Sequence, residues 1–471
     1  MRRLVPLVAV LGLTGCLVGP NYHRPAVSLP TQFPDSPATR QSIADQKWFD
    51  LFHDPVLNQL VQAALKQNFD VRIAAERVLE ARAQYGVTRA NVFPTLAASA
   101  SYTGSRSSAI GAFPFPPGTP VSFAYTQAGL QLSWELDLWG KLRRMDEAAR
   151  AQYLASEEAR NGVLVSLISD VMTTYFQLRE LDLELQIGEQ NNGIAQDNLR
   201  LIRERKDRGA ASGLDVHQAE QFLYTTTAEI AASKRSIAQA EDALNLLLAR
   251  APGEVARGQS LEQIGREQGH LEQNGAAPEL PAGLPAALIE RRPDIREAED
   301  NLIAANAQIG AARALFFPDL TLTGFLGAQS QPLTQLFSGP ARMASIAPSV
   351  LQPLFHAGLR AGVQLTEAQE REMLLTYQKT IYGALREVAD ALAVHTRTRE
   401  QRGEEEKLVE ALSESVRLSN LRYRGGLDSY LQVLDAERNL FAGQLDLAQL
   451  RLMEVDSVVQ LYRALGGGWQ S

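Results

Sequence analysis

One side chain in this sequence has its chemistry set by its neighbours. Cys16 is the only cysteine among 471 residues, so it has no disulfide partner within one chain. Arg2 and Arg3 precede an apolar run, Leu4–Leu13. That run is too short to span a bilayer as a helix and reads as a secretory signal. It ends Leu13-Thr14-Gly15-Cys16, the form of a bacterial lipobox, in which the thiol is acylated and the cysteine becomes the first residue. Several acyl chains anchor stably where a single one binds only marginally. Leu17 follows where an aspartate would retain the product at the inner membrane, so the usual sorting pattern favours the outer membrane.

The remaining reactive groups argue against an enzyme. His23, His53, His217, His270, His356 and His395 are scattered, without metal-ligand spacing and without a cysteine partner. Gly466-Gly467-Gly468 has no strand before it and stands almost at the chain end, so it is not a phosphate cradle. Glu404-Glu405-Glu406 reads as a solvated helix face. No cofactor is called for. A formal net charge of −8 argues against nucleic acid as a partner, and a hydrophobic content of 45% is too ordinary for a helical membrane bundle. Two acidic patches resemble one another: Asp215-Val216-His217-Gln218-Ala219-Glu220 and Gln432-Val433-Leu434-Asp435-Ala436-Glu437. By itself, an acid at such a place is a solvated carboxylate near a helix start, where it complements the dipole.

The elements that position these patches come in two copies. Shifted by 224 positions, Asp70–Pro94 falls on Asp294–Pro318 with 11 of 25 residues identical. Both copies carry a 3-4 apolar spacing: Val71, Ala74, Val78, Ala81, Tyr85 and Ile295, Ala298, Leu302, Ala305, Ile309. Such spacing keeps one seam toward a partner helix. Both copies end at Phe-Pro (Phe93-Pro94, Phe317-Pro318), where proline forbids further helix. A first helix is expected over about Pro55–Phe93. Period-2 alternation then predicts strands at Thr95–Thr103, Phe123–Glu135, Asp319–Gly327 and Ala344–Gln352, with a Gly/Pro/Ser-rich loop over 104–121. Long helices are expected from about Leu136 to Arg208 and from about Leu354 to Arg424, each a rod of ~100 Å. Glycine-rich turns follow each rod, and a return helix follows each turn.

The expected organisation is a signal peptide (1–15), a lipidated N-terminal arm (16–54), repeat 1 (55–250), a linker or equatorial segment (251–285), repeat 2 (286–466) and a C-terminal tail (467–471). Repeat 1 holds strand-loop-strand 95–135 and tip turn 208–214; repeat 2 holds strand-loop-strand 319–352 and tip turn 424–431. Four strands cannot close a membrane barrel, since known ones start near eight, and open edges are not tolerated in lipid. The barrel must therefore be assembled from several chains.

The ordered set of motifs resembles the TolC-like outer-membrane efflux proteins, in particular the lipoprotein subgroup typified by OprM and NodT. It comprises Cys16 with Val18-Gly19-Pro20-Asn21-Tyr22-His23-Arg24-Pro25, Trp48-Phe49, both Phe-Pro helix ends, and Trp134-Glu135-Leu136-Asp137-Leu138-Trp139-Gly140-Lys141-Leu142-Arg143. Gln352-Pro353-Leu354-Phe355, Gly358-Leu359-Arg360 and Ala464-Leu465-Gly466-Gly467-Gly468-Trp469 complete it. The resemblance implies a mainly α fold in a homotrimer. Long coiled-coil-like helices would form a periplasmic α-barrel, and four β-strands per chain would build a shared 12-stranded barrel in the outer membrane of a Gram-negative bacterium. It further implies an exit duct that passively conducts drugs or other small toxic solutes. The partners would be a periplasmic adaptor protein, an inner-membrane pump of the RND type and outer-membrane lipid.

The same resemblance assigns sites. In the family an acid matching Asp435 lines the periplasmic aperture, and Asp215, Tyr423 and Asp428 match other constriction positions. Gln432 stands one turn before Asp435, where the family often has a second acid. Asp428 stands where some relatives place a basic gate residue. In a trimer one Asp per chain becomes a ring of three, whose carboxylates repel, raise each other's pKa and favour cations. The turn residues Gly209, Ala210, Gly213, Leu214, Gly425, Gly426 and Leu427 would meet the adaptor, small residues allowing close approach. Two other functions fit the sequence: a non-conducting periplasmic coiled-coil scaffold lipoprotein, and a protein-export duct of a type I secretion system.

Overall fold

The computed structural model describes residues 17–33, 42–108, 110, 116, 118–264 and 281–468. Cys16, the signal segment and Trp469 lie outside the described residues, as do His270 and much of the linker. Among the described residues no helix is long and apolar enough to cross a membrane.

Asp54 starts the first helix, α1 (Pro55–Gln67), by accepting from the Val56 and Leu57 amides at 2.8 and 3.2 Å, with Pro55 at the first helical position. The single helix expected over Pro55–Phe93 is in fact two. Asn68 ends α1, and its Oδ1 accepts from the amides of Asp70 and Val71 at 2.8 and 3.1 Å, opening α2 (Phe69–Ala90). A short polar side chain that offers the backbone an alternative partner breaks the ladder without proline or glycine. After the strands come α3 (Lys141–Asp207) and α4 (Gly213–Leu247); in the second half, α5 (Pro293–Ala314), α6 (Gly358–Arg424) and α7 (Tyr430–Ala464) follow. The internal repeat shows in the lengths: 22 residues for α2 and α5, 67 for α3 and α6, 35 for α4 and α7. At 1.5 Å per residue the 67-residue helices are each ~100 Å long. Both start a few residues later than expected. Ahead of α3, the Leu136 amide still donates to Leu320 O, and Gly140 adopts a φ of 79°.

The four strands are β1 (Thr95–Arg106), β2 (Ser122–Glu135), β3 (Asp319–Ser330) and β4 (Arg342–Leu351), in one antiparallel sheet of order β1-β2-β3-β4. β1 and β3 run on past their expected ends, to Arg106 and Ser330, while β2 and β4 begin earlier, at Ser122 and Arg342, and β4 stops at Leu351 rather than Gln352. The register aligns like with like. Leu96 faces Leu132, Ala98 faces Leu130, and Leu130 faces Leu326. Leu320, Leu322 and Gly324 continue that face to Val350, Pro348 and Ile346. The other face carries Ser99, Ser101, Gln127, Gln131, Thr321, Thr323, Ser345 and Ser349. One face is thus mainly apolar and the other mainly polar, though the second also carries Phe123, Phe325, Met343 and Leu351; a barrel wall between lipid and water has such a bias.

The chain divides into two compact units. One comprises Met1–Ala26, Val78–Ala155 and Ala298–Tyr377. Within it, small residues let helices meet closely: Ala148 and Ala151 of α3 pack with Ala304 and Ala307 of α5. The segment after Cys16 is strapped to the same helices. Arg144, 1% exposed, donates to Val18 O, Gly19 O and Asn21 Oδ1, while Glu299 accepts from Arg24 and Tyr22.

The other unit comprises Val27–Arg77, Ser156–Glu297 and Gln378–Ser471. Its core includes Ile168, Val171, Tyr175 and Leu178 of α3, all buried. The Asp54 carboxylate is buried there too. It accepts from Tyr175 Oη at 2.7 Å and from the Gln259 amide at 3.0 Å besides capping α1.

Candidate functional site

The residues assigned to the aperture and tip lie in and around two turns of the second unit. Each rod ends in the same way. Gly209, with φ 76°, donates its amide to Lys206 O, and Ala210 donates to Arg205 O; Gly426, with φ 73°, donates to Tyr423 O, and Leu427 to Arg422 O. This paired pattern satisfies the last helical carbonyls and needs a left-handed residue at one position, which glycine supplies at little cost. Gly425 has no such conformation, and Gly213 is already the first residue of α4. The turns therefore span residues 208–212 and 425–429, slightly shorter than expected. Gly209, Ala210, Leu214, Gly425, Gly426 and Leu427 are all exposed, Leu427 by 72%.

The first turn commits its acid to local structure. Ser212 and Asp215 form a reciprocal cap: Asp215 Oδ2 accepts from the Ser212 amide at 2.7 Å, and Ser212 Oγ accepts from the Asp215 amide at 3.2 Å. Beside it, Glu220 accepts from Arg203 at 2.8 Å and bonds His217 at 2.9 Å.

The second turn is closed by charge. Arg422 holds Asp428 through two nitrogens, Nε to Oδ2 and Nη2 to Oδ1, and the guanidinium keeps the Asp428 carboxyl below the usual aspartate range. The gate position thus carries an ion pair inside one turn rather than a basic residue. Tyr423 is half-buried. The Arg205 guanidinium lies 4.6 Å from its ring centroid, and the Tyr430 ring 5.5 Å away. Gln432 and Asp435 are exposed on α7; Asp435 receives only a long bond, 3.4 Å, from Asn439.

Beneath these residues three helices share an apolar cluster: Ala195, Leu199 and Ile202 of α3, Val216, Ala219 and Phe222 of α4, and Tyr430, Val433, Leu434 and Phe441 of α7. Phe222 and Phe441 meet edge to face at 6.3 Å. The structure so gathers Tyr423, Asp215 and Asp428 around one packed end and leaves Asp435 and Gln432 facing outward. Sequence reasoning quoted Glu437 but gave it no role. It occupies the buried seam Tyr430-Val433-Leu434-Glu437-Phe441, and that 3-4 spacing is the signal that marks it. Among the described residues, no cluster of three or more His, Cys, Asp or Glu could hold a metal.

Comparison with known proteins places the chain. A model of the outer membrane efflux protein family matches residues 60–250 and 284–467. The solvent efflux pump outer membrane protein SrpC of Pseudomonas putida is 40% identical over 476 residues, covering 99% of this chain and 98% of that one. The cation efflux system protein CusC of Escherichia coli O6:H1 is 36% identical over 475 residues, covering 99% of both. The solved structure of the outer-membrane channel OprN superposes with a TM-score of 0.85 or better (0.88) at 31% identity, over 97% of this chain and all of that one. With repeated helices of matched length, a two-faced four-stranded sheet and these matches over nearly its whole length, the chain belongs to the outer membrane efflux protein family.

Proposed function

We propose that three copies of this chain form the exit duct of a tripartite efflux system in the outer membrane, passing small toxic solutes received from an RND-type inner-membrane pump through a periplasmic adaptor. The observation that carries this reading is the sheet. The outer edges of β1 and β4 are unpaired among the described residues, and a sheet with open edges is not viable in lipid. Pairing β1 of one copy with β4 of the next closes three sheets into 12 strands, with the Ser/Thr/Gln face lining water. The unequal burial of the repeats supports the same assembly. Leu302 and Ile309 are buried in α5, whereas their equivalents Val78 and Tyr85 in α2 are only half-buried and Leu79 and Val87 stay exposed, open to cover by a neighbour. The relatives are named for solvents and for cations, so a duct of this kind is not restricted to one cargo chemistry. It is a passive conduit and not a catalyst.

Cys16 is the anchor in this reading. Leu17 sits against Gly140, and the Val18 amide donates to Trp139 O at 3.2 Å. Trp139 in turn stacks on Phe317 at 4.8 Å and donates to Pro318 O, beside the start of β3. This supports acyl chains attached where strand gives way to helix, at the level of the inner leaflet. Asp435 lines the aperture, with Tyr423, Asp428, Asp215 and Gln432 around it, and the exposed turns bearing Gly209, Ala210, Gly425, Gly426 and Leu427, with Gly213 and Leu214 at the start of α4, receive the adaptor. The test is the mass of the detergent-extracted full chain by light scattering, together with conductance in planar bilayers. A conducting trimer is expected. A monomer, or an assembly that inserts and does not conduct, would leave the scaffold reading in its place.

A further inference from the structure

Glu437 is a carboxyl where the seam of α7 calls for a hydrocarbon. It is 4% exposed, with Tyr430, Val433, Leu434 and Phe441 of the same buried stripe on either side. Oε1 accepts from Asn198 Nδ2 of α3 at 2.7 Å. Oε2 is buried and has no hydrogen-bond partner among the described residues. Asn420 of α6 is the other polar neighbour, but its amide nitrogen donates to Val416 O at 3.1 Å.

The charged groups of the surrounding helices are engaged elsewhere. On α3, Arg200 pairs with Asp197, and Arg205 lies over Tyr423. Arg203 of α3 and His217 of α4 pair with Glu220, and Asp215 caps α4. On α6, Arg417 pairs with Glu414 and Arg422 with Asp428. On α7 itself, Arg438 is exposed, and the Tyr430 phenol, pushed up chiefly by burial and also by Glu437, is neutral. An ionised Glu437 would therefore be buried, half-bonded and without a cation, an arrangement that low-polarity surroundings penalise heavily.

We propose that Glu437 is a proton-dependent positioning residue for the aperture: protonated, it lets α7 lie packed on α3 and α6; ionised, it favours a looser arrangement in which water reaches it. The inference rests on the reading of Asp435 as the aperture residue. The two positions are two residues apart on α7, about 200° around the helix. Any shift of α7 that hydrates Glu437 therefore moves Asp435. Burial pushes the Glu437 carboxyl from 4.5 up to about 7, against the two amides that favour the anion. For a group raised in the packed state, the contribution to packing is complete below the ordinary value and is lost as pH rises through the raised one. Between about 4.5 and about 7 the ratio of packed to loose tip falls by up to about tenfold per pH unit.

The experiment is single-channel conductance of the purified full-length trimer from pH 5 to 8.5, in an Asp435→Asn background that removes the aperture carboxylates from the readout. Conductance is expected to rise about twofold or more with a midpoint near 7. Glu437→Gln, neutral and of the same shape, should hold the low-pH level throughout. Asn198→Ala removes the 2.7 Å hydrogen bond, one of the two amide contacts that favour the anion, and should raise the midpoint, which covers the case where the Gln variant does not assemble. A flat profile in the parent, or a midpoint indifferent to both substitutions, overturns the proposal. The aperture reading fails separately, if Asp435→Asn leaves the reversal potential in a salt gradient unchanged.

Discussion

Arg422 and Asp428, six residues apart, close the second tip turn with two parallel hydrogen bonds, bridging the end of α6 to the approach of α7. Arg422 is exposed and Asp428 partly so, and the pair adds little to global stability, being screened by water and salt. Its effect is local: it holds the turn that carries Gly426 and Leu427. Arg422→Ala should leave the thermal midpoint of the assembly unchanged and speed amide exchange over Gly425–Tyr430. Because Arg422 holds the Asp428 carboxyl below its ordinary 3.8, the pair is fully present above that value. It is lost only as pH falls below it. Protection that disappears already between pH 7 and 5 would assign the turn's order to another group.

Asp435 and Asp215 should separate by function. Asp435 has a free carboxylate, whereas Asp215 spends its own on the Ser212 amide and hydroxyl at 2.7 and 2.9 Å. Asp435→Ala is expected to shift the reversal potential of the channel toward that of an unselective pore, and Asp215→Ala to shift it much less. Ser212→Ala should instead cost about 1 kcal/mol at the start of α4, the usual effect of losing a cap. Equal losses of selectivity from both aspartates would refute this division.

The sequence carried the fold where one residue type dictates geometry. Phe93-Pro94 and Phe317-Pro318 end helices because proline cannot continue them, and the period-2 runs at Leu96–Tyr102 and Ala124–Trp134 became β1 and β2 because alternation suits a sheet wet on one face. Gly209 and Gly426 announced both tip turns. What stayed hidden depends on partners in space. Asn68 splits the first helix because its side chain reaches the Asp70 and Val71 amides; the same residue facing water would have left the helix whole. Asp215 fits a cap and an aperture equally well until Ser212 is seen bonded to it. Glu437 stands out in the seam by spacing, yet its significance is that no cation accompanies it, and that is a three-dimensional fact. Arg144, in an unremarked basic pair, became the clamp of the N-terminal arm.

Asp54 and Tyr175 make a polar knot that should be among the costliest to untie. The Asp54 carboxylate accepts from four donors: the Val56, Leu57 and Gln259 amides and the Tyr175 hydroxyl. Gly258 is required beside it, because an added Cβ would fall 2.1 Å from Asp54 Oδ1. Asp54→Ala removes a helix cap and strands a buried hydroxyl and a buried amide, for a combined loss of about 3–5 kcal/mol. Asp54→Asn keeps the shape and should recover part of that. The check is the thermal midpoint followed by the helical circular dichroism signal. A fall for Asp54→Ala no larger than that for an exposed control such as Asp197→Ala would show the knot to be dispensable.

Gly310 decides whether the arm behind Cys16 can lie where it does. Gly19, at a φ of 99°, crosses α5 so closely that a Cβ on it would stand 2.4 Å from Gly310 Cα. A Cβ on Gly310 would stand 2.8 Å from Val18 O, which Arg144 holds at 3.3 Å. Val18 O is backbone, and the Arg144 Nε that stands equally close, at 2.8 Å, is itself bonded to the strap, so Gly310→Ala must lift the strap. The contacts of Arg24 and Tyr22 with Glu299 lie beyond the crossing and should survive, so the defect is confined to Leu17–Asn21. Limited proteolysis of the assembled protein is expected to cut that segment faster in Gly310→Ala, and in Arg144→Ala, while the helices resist as before. Cleavage at the wild-type rate in both variants would mean that the acyl chains, rather than this glycine crossing, keep the arm in place.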